Sequence, residues 1–456
     1  MGLKTKLQLL AALCLAAAGL SSCGKEADFI IEGPSGVKAG SLTGTRAVSS
    51  ETRRVLLFYE CGLNSLSGDL DRDMNVELVQ GYDSEGKEDG KAKAYIPAEG
   101  RSENVLLVFT KLAEDYSYSP VKSYLKRLYL NSEGRLVRDT LKIWDESFLA
   151  ASKEGLGEVL SYVRKAFPAK GYGLVFSSHG SGWLPEGYYF SPSSLENPKK
   201  SKAKAALKAP LAPDALSLSD PFYGLTRSIG NESTPDGDRE MSVADMAEAI
   251  PMRLDYLLFD MCFSGGIELV WGLRNKTRCI GASPAEVLAD GMYDYSKITS
   301  YLLEGDEPRL KELMEDSFAR YDKRSGLYRS ATVTLLRTEG LEKVAAVCKE
   351  LFEKYRSELA AAPYSQIQGY HRLGRHFFYD LVDMLAKSGV PQAEVSALEE
   401  ALAACTVYKA STPGFLGEFS ITSYSGLSCY LPAHGTALLD SWYRKESWNQ
   451  ATALVK

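Results

Sequence analysis

Five stretches of this chain are apolar almost without interruption: "RVLLFYE" (54–60), "NVLLVFT" (104–110), "YGLVFSS" (172–178), "RLDYLLFD" (253–260) and "TRCIGAS" (277–283). A strand with one face in water alternates apolar and polar residues, whereas a strand covered on both faces does not. Helical patterns separate the runs, among them 63–82, "KEGLGEVLSYVRKAF" (153–167) and "SVADMAEAI" (242–250), the last opening on a Ser cap. Together they predict an α/β fold on a parallel or mixed sheet. "SYLKRLYL" (123–130) and "LVRDTLKIWD" (136–145) do alternate, and "NSEG" between them signals a hairpin turn, so an antiparallel pair is expected beside the parallel core. Later helical patterns at 307–322, 339–358 and 391–404 alternate with the short runs "ATVTLLR" (331–337) and "GLSCYLP" (426–432). The pattern leaves open whether that half extends the same sheet or forms a second lobe.

The first residues read as targeting rather than fold. Lys4 and Lys6 precede the apolar "LQLLAALCLAAAGL", a run too short to span a bilayer comfortably. The run ends in "LSSC", which resembles the lipobox of bacterial lipoproteins and implies a leader over 1–22 with Cys23 as the lipidated residue; a single-pass anchor is the alternative. The resemblance implies a cell-envelope location, with Gly24 pointing to the outer membrane if the cell is Gram-negative. Residues 23–52 are rich in Gly, Ser and Thr and read as a tether. The folded part then divides into 53–305, with an irregular insertion at about 184–240, and 306–456. The formal net charge of −6 argues against a general nucleic-acid binder. Beyond Cys14 and Cys23, six cysteines are spread without a CxxC or CxxH pattern, so neither a disulfide framework nor a structural zinc is expected.

Two residues stand where a parallel sheet places its chemistry. His179 follows "GYGLVFSS" and Cys262 follows "DYLLFD", each at a strand end with small residues behind it. If those strands are neighbours, the imidazole can activate the thiol as a nucleophile. Gly180 lets the chain pass close to a bound carbonyl, and its N–H, with that of Cys262, is placed to meet an oxyanion. A cysteine or histidine alone at a strand end is usually structural; the argument lies in their joint occurrence.

The motifs "SSHGSGW" (177–183) and "FDMCFSGG" (259–266) are similar to the His and Cys motifs of the clostripain family of cysteine peptidases, in the caspase-like clan. The D-x-C-x-S-G form is also similar to metacaspases. "IGASPAEVLADGMYDY" (280–295), "YDLVDML" (379–385) and "GLSCYLP" (426–432) resemble later blocks of the same family. The resemblance implies a mostly parallel caspase-like sheet sandwiched by helices, with a C-terminal α/β extension. It implies Cys262 as nucleophile, His179 as general base and acid, and Asp260 as the pocket acid that selects Arg or Lys; the alternative for Asp260 is a strand-end acid capping main-chain N–H groups. Members often cut themselves between the His and Cys, where Lys199, Lys200, Lys202, Lys204, Lys208, Arg227 and Arg239 are available. No cofactor is required for this chemistry. Asp236, Asp238 and Glu240 form a fragment of a calcium-loop pattern, read as a solvated turn with calcium as the alternative. His371 and His376, five residues apart, read as structural. The expected partner is therefore a peptide or protein substrate with Arg or Lys at the cleaved bond. The rival readings are an inactive surface lipoprotein that binds or adheres, and a ligase that resolves the acyl-enzyme with a peptide amine.

Overall fold

The computed structural model describes residues 52–88, 94–99, 104–114, 119–186, 188, 229–235, 237–372 and 377–456, all within one compact unit, Ala39–Lys456. The leader, Cys23, the tether up to residue 51 and the Lys-rich part of the insertion lie outside the described residues, and Thr52 already belongs to the first strand. Among the described residues, no helix is long and apolar enough to cross a membrane.

The apolar runs become the centre of a nine-stranded sheet. Its strands are β1 (Thr52–Gly62), β2 (Asn104–Leu112), β3 (Ser123–Leu130), β4 (Leu136–Trp144), β5 (Ala169–Ser177), β8 (Leu254–Asp260), β9 (Thr277–Ala282), β10 (Thr332–Arg337) and β12 (Thr406–Ser411). Short strands outside it include β6 (Ile229–Glu232), β7 (Arg239–Met241) and β11 (Tyr379–Asp380). The order is β12-β10-β9-β8-β5-β1-β2-β3-β4. The five central strands, β9-β8-β5-β1-β2, are parallel. Antiparallel pairs finish both edges: β3 and β4 on one side, β10 and β12 on the other. The second half therefore extends the same sheet.

Alternation along β1 shows how the sheet is covered. Val55, Leu57, Tyr59 and Cys61 enter one apolar core, and Leu56 and Phe58 enter the other. The first core packs helices including Lys153–Ala166, Val243–Ala249 and Leu341–Lys354, whose apolar stripes face it. The second packs Tyr295–Leu302 and Leu310–Asp322. Burial on both faces is why these strands read as continuous apolar runs. The Ser cap expected at 242 is present as a full capping box with Asp245.

Two expectations needed adjustment. The helix expected over 63–82 is only Ser67–Arg72 (α1), continued by one π-helical turn, Asp73–Glu77. Its start is delayed because the Asn64 side chain accepts the Leu66 N–H at 2.9 Å and its carbonyl accepts the Ser67 N–H at 3.1 Å, a local turn that competes with helix. "GLSCYLP" supplies only a two-residue strand, Ser428–Cys429, paired with β11. All six cysteines among the described residues are free, and Cys61, Cys348, Cys405 and Cys429 are buried as small apolar groups.

Candidate active site

β5 and β8 are parallel neighbours with Ser177 opposite Asp260. His179 and Cys262 each lie two residues past that pair, so the register alone carries them to the same sheet edge. Both line one cleft of about 610 Å³ including its open mouth, together with Asp260, Asp69, Asp73, Glu286, Val287, Leu288, Gly291 and Arg372.

His179 is buried, and its Nε2 lies 2.9 Å from the Ser65 hydroxyl, in the turn after β1. The strand-end pattern did not single out Ser65, although β1 ends at the same edge. Ser178, beside the histidine, accepts the Asn231 N–H at 3.0 Å and donates to the Cys61 carbonyl. Asn64 donates to the Asn231 carbonyl at 2.7 Å. The C-terminal part of the insertion is thus clamped beside His179, and Gly180 forms a β-bridge with Ile229.

Cys262 is half-buried, and its sulfur accepts the Val287 N–H at 3.2 Å while lying 3.6 Å from the Val287 carbonyl. Burial pushes its thiol pKa up, and the Glu286 carboxylate adds to the effect. The next residue, Phe263, has φ 53°, an unusual conformation for a non-glycine residue, and its N–H is fixed to the Ala285 carbonyl at 2.9 Å. A Cβ on Gly180 would lie 2.8 Å from the Cys262 carbonyl, so only glycine lets these two strand-end loops approach.

Asp260 matches the capping alternative offered for it, and it also faces the cleft. Its Oδ1 accepts the Met292 N–H at 2.7 Å, while Oδ2 accepts the Tyr295 hydroxyl at 2.8 Å. Burial raises its pKa. Gly291 gives this carboxylate room, since a Cβ there would sit 2.7 Å from Oδ2. On the far side of the thiol, Arg372 donates from Nε to both Glu286 oxygens, at 3.0 and 3.1 Å.

A model of the clostripain family matches residues 219–408, which include the Cys262 motif and the segment that holds its sulfur. Over that stretch the sequence matches the clostripain family of cysteine peptidases. Two solved structures share the fold of this chain. One is an inactive zymogen C11 protease from Parabacteroides distasonis, 23% identical, with a TM-score of 0.66, covering 88% of this chain and 98% of its own. The other is a secreted C11 cysteine protease from Bacteroides thetaiotaomicron in complex with an irreversible peptide inhibitor, 20% identical, TM-score 0.64, covering 88% and 98%. No curated protein matches the chain.

The remaining candidates fall elsewhere. His371 is buried and stacks on Phe263 at 5.4 Å, while His376 lies outside the described residues. Asp236 also lies outside them, and Glu240 is within β7. Among the described residues, no cluster of three or more acids, histidines or cysteines could hold a metal ion. Of the basic residues named for self-cleavage, Arg239 alone is described, as the first residue of β7.

Proposed function

We propose that this chain is a clostripain-family endopeptidase in which the Cys262 thiolate attacks the carbonyl carbon of a peptide bond following Arg or Lys. The observation that carries the reading is the convergence of His179, Cys262 and Asp260 on one cleft at the carboxyl ends of β5 and β8. His179 takes the thiol proton and returns it to the leaving amine, and water then releases the acyl group. The Cys262 and Gly180 N–H groups meet the oxyanion; the Cys262 N–H donates to no acceptor among the described residues, which supports that role. The sulfur must leave Val287 for attack, so substrate binding or processing is part of the cycle. Cleavage within the Lys-rich insertion would free the chain next to His179, and lipid on Cys23, after removal of the leader, would hold the enzyme at a membrane.

Paired fluorogenic peptides test this reading, one set ending in Arg or Lys and the other in Asp or Leu, with Cys262→Ala alongside. Hydrolysis confined to the basic set and lost in the variant is the expected result. Equal turnover of both sets would remove Asp260 from its selecting role. Product masses separate hydrolysis from peptide ligation.

A further inference from the structure

The cleft contains more carboxylate than the strand-end motifs indicate. Asp69 on α1 and Asp73 at the start of the π turn line it with Asp260. The three acids are differently placed. Both oxygens of Asp260 are taken, by the Met292 N–H and the Tyr295 hydroxyl. Asp69 accepts from Arg72 at 2.9 Å and is partly exposed. The Asp73 side chain is 1% exposed, and its Oδ1 accepts no hydrogen bond; the Arg72 guanidinium lies 3.6 Å away, beyond hydrogen-bonding reach.

A buried carboxylate oxygen without a donor is costly, and native proteins rarely leave one unless something outside the chain completes it. The backbone holds Asp73 in that position. Leu78 donates its N–H to the Asp73 carbonyl at 2.8 Å, the i-to-i+5 bond of a π turn, a geometry concentrated at functional sites. We infer that Asp73 is the open acceptor for the guanidinium or ammonium head of the substrate residue at the cleaved bond. Asp260 then serves as the rigid, already satisfied floor that adds negative field. The inference rests on the basic-residue reading above and makes Asp73 a specificity-determining residue of the same site.

Arginine and citrulline have nearly the same shape and differ in charge, so the ratio of kcat/KM on matched Arg and citrulline peptides isolates the acceptor. In the unaltered protein the ratio favours Arg strongly. Asp73→Asn is expected to lower it roughly 10- to 100-fold, mainly through KM, the range of a charge-assisted hydrogen bond. The citrulline peptide should change by no more than about two-fold. A strong Arg preference that survives Asp73→Asn overturns the role of Asp73 and leaves the basic-residue reading standing. No preference in the unaltered protein overturns both.

Should Asp73→Asn fail to fold, the pH dependence of the ratio decides. Burial, followed by the charge of Asp260, pushes the Asp73 carboxyl up to about 8. The groups around it are Asp69, Arg72 and Glu77 on its own segment, Asp260 on β8, Glu60 on β1 and Tyr295 on the helix Tyr295–Leu302. The ratio should rise from pH 6 to 9, while ionisations shared by both peptides cancel. A rise that persists in Asp260→Asn supports Asp73. Loss of the Asp260 charge should move the rise to lower pH, so absence of a rise anywhere from pH 4 to 9 in Asp260→Asn assigns the titration to Asp260 and refutes the inference.

Discussion

Val287 donates its main-chain N–H to the sulfur of Cys262 at 3.2 Å, and the thiol faces the Val287 carbonyl at 3.6 Å. A thiol engaged this way, with its pKa raised by burial and then by Glu286, rests in the neutral form. Alkylation of Cys262 by iodoacetamide at pH 7 should therefore be at least about ten-fold slower than that of an exposed model thiol. Glu286→Gln removes the like charge and leaves the Arg372 cation unbalanced, which should speed alkylation several-fold. Modification rates followed by mass spectrometry from pH 6 to 9 check this; a rate in Glu286→Gln at or below that of the unaltered protein would falsify it.

The Ser65 hydroxyl, 2.9 Å from His179 Nε2, is placed to fix the ring. Net hydrogen bonds of this kind are worth about 0.5–1.5 kcal/mol, so Ser65→Ala should lower kcat by roughly 2- to 10-fold with KM nearly unchanged. Ser65→Thr, which keeps the hydroxyl, should recover most of the loss. A change confined to KM would mean that Ser65 contacts substrate rather than positioning the imidazole.

The parts of this fold and site that could be read in advance share a physical origin. β1, β2, β5, β8 and β9 are covered on both faces, so their sequences show it as apolar runs. Cys262 and His179 are marked by the same runs, because each follows a strand end directly. β12, "TVYKAS", is a half-exposed edge strand without such a run and could not be distinguished from loop. Ser65, Asp73, Glu286 and Val287 were missed for a different reason. Ser65 reaches His179, and Asp73, Glu286 and Val287 reach the cleft, from segments after β1 and β9, and only the strand order and register show which segments share an edge. The acids in "SGDLDRDMN" were visible, but a helix with charged residues ordinarily presents them to water.

Lys111 on β2 and Glu232 on β6 form an ion pair at 2.6 Å, with side chains 1% and 0% exposed. Glu232 also accepts the Ala151 N–H at 3.2 Å, and Lys111 donates to the Phe148 carbonyl. Removing one partner of such a pair leaves a buried charge and costs about 3–5 kcal/mol. Lys111→Met should accordingly lower Tm by roughly 4–7 °C. Because Glu232 adjoins Asn231, which Ser178 holds beside His179, activity should fall as well. The double variant Lys111→Met, Glu232→Leu should regain most of the stability, measured by thermal unfolding. A double variant no better than the single one would show that the pair is not the source of the loss.

Asp73 links stability to pH in the direction opposite to a salt-bridged acid. Its carboxyl is raised from the ordinary 3.8 to about 8, chiefly by burial, so the folded chain retains a proton that the unfolded chain releases. Stability from this group is fully present below pH 4 and declines as pH rises toward 8, because over that window the native state binds more protons. Asparagine cannot ionise and avoids the decline. With each pK unit worth about 1.4 kcal/mol and a rise from 3.8 to about 8, Asp73→Asn should be more stable than the unaltered protein at pH 8 by several kcal/mol, at most about 5. At pH 4 the two should nearly coincide. Thermal unfolding at both values measures the difference directly. A variant less stable at pH 8 than at pH 4, relative to the unaltered protein, would mean that Asp73 is already paired as a carboxylate in the empty cleft. The expected result is a residue kept against stability, which is the pattern of a group retained for what it binds.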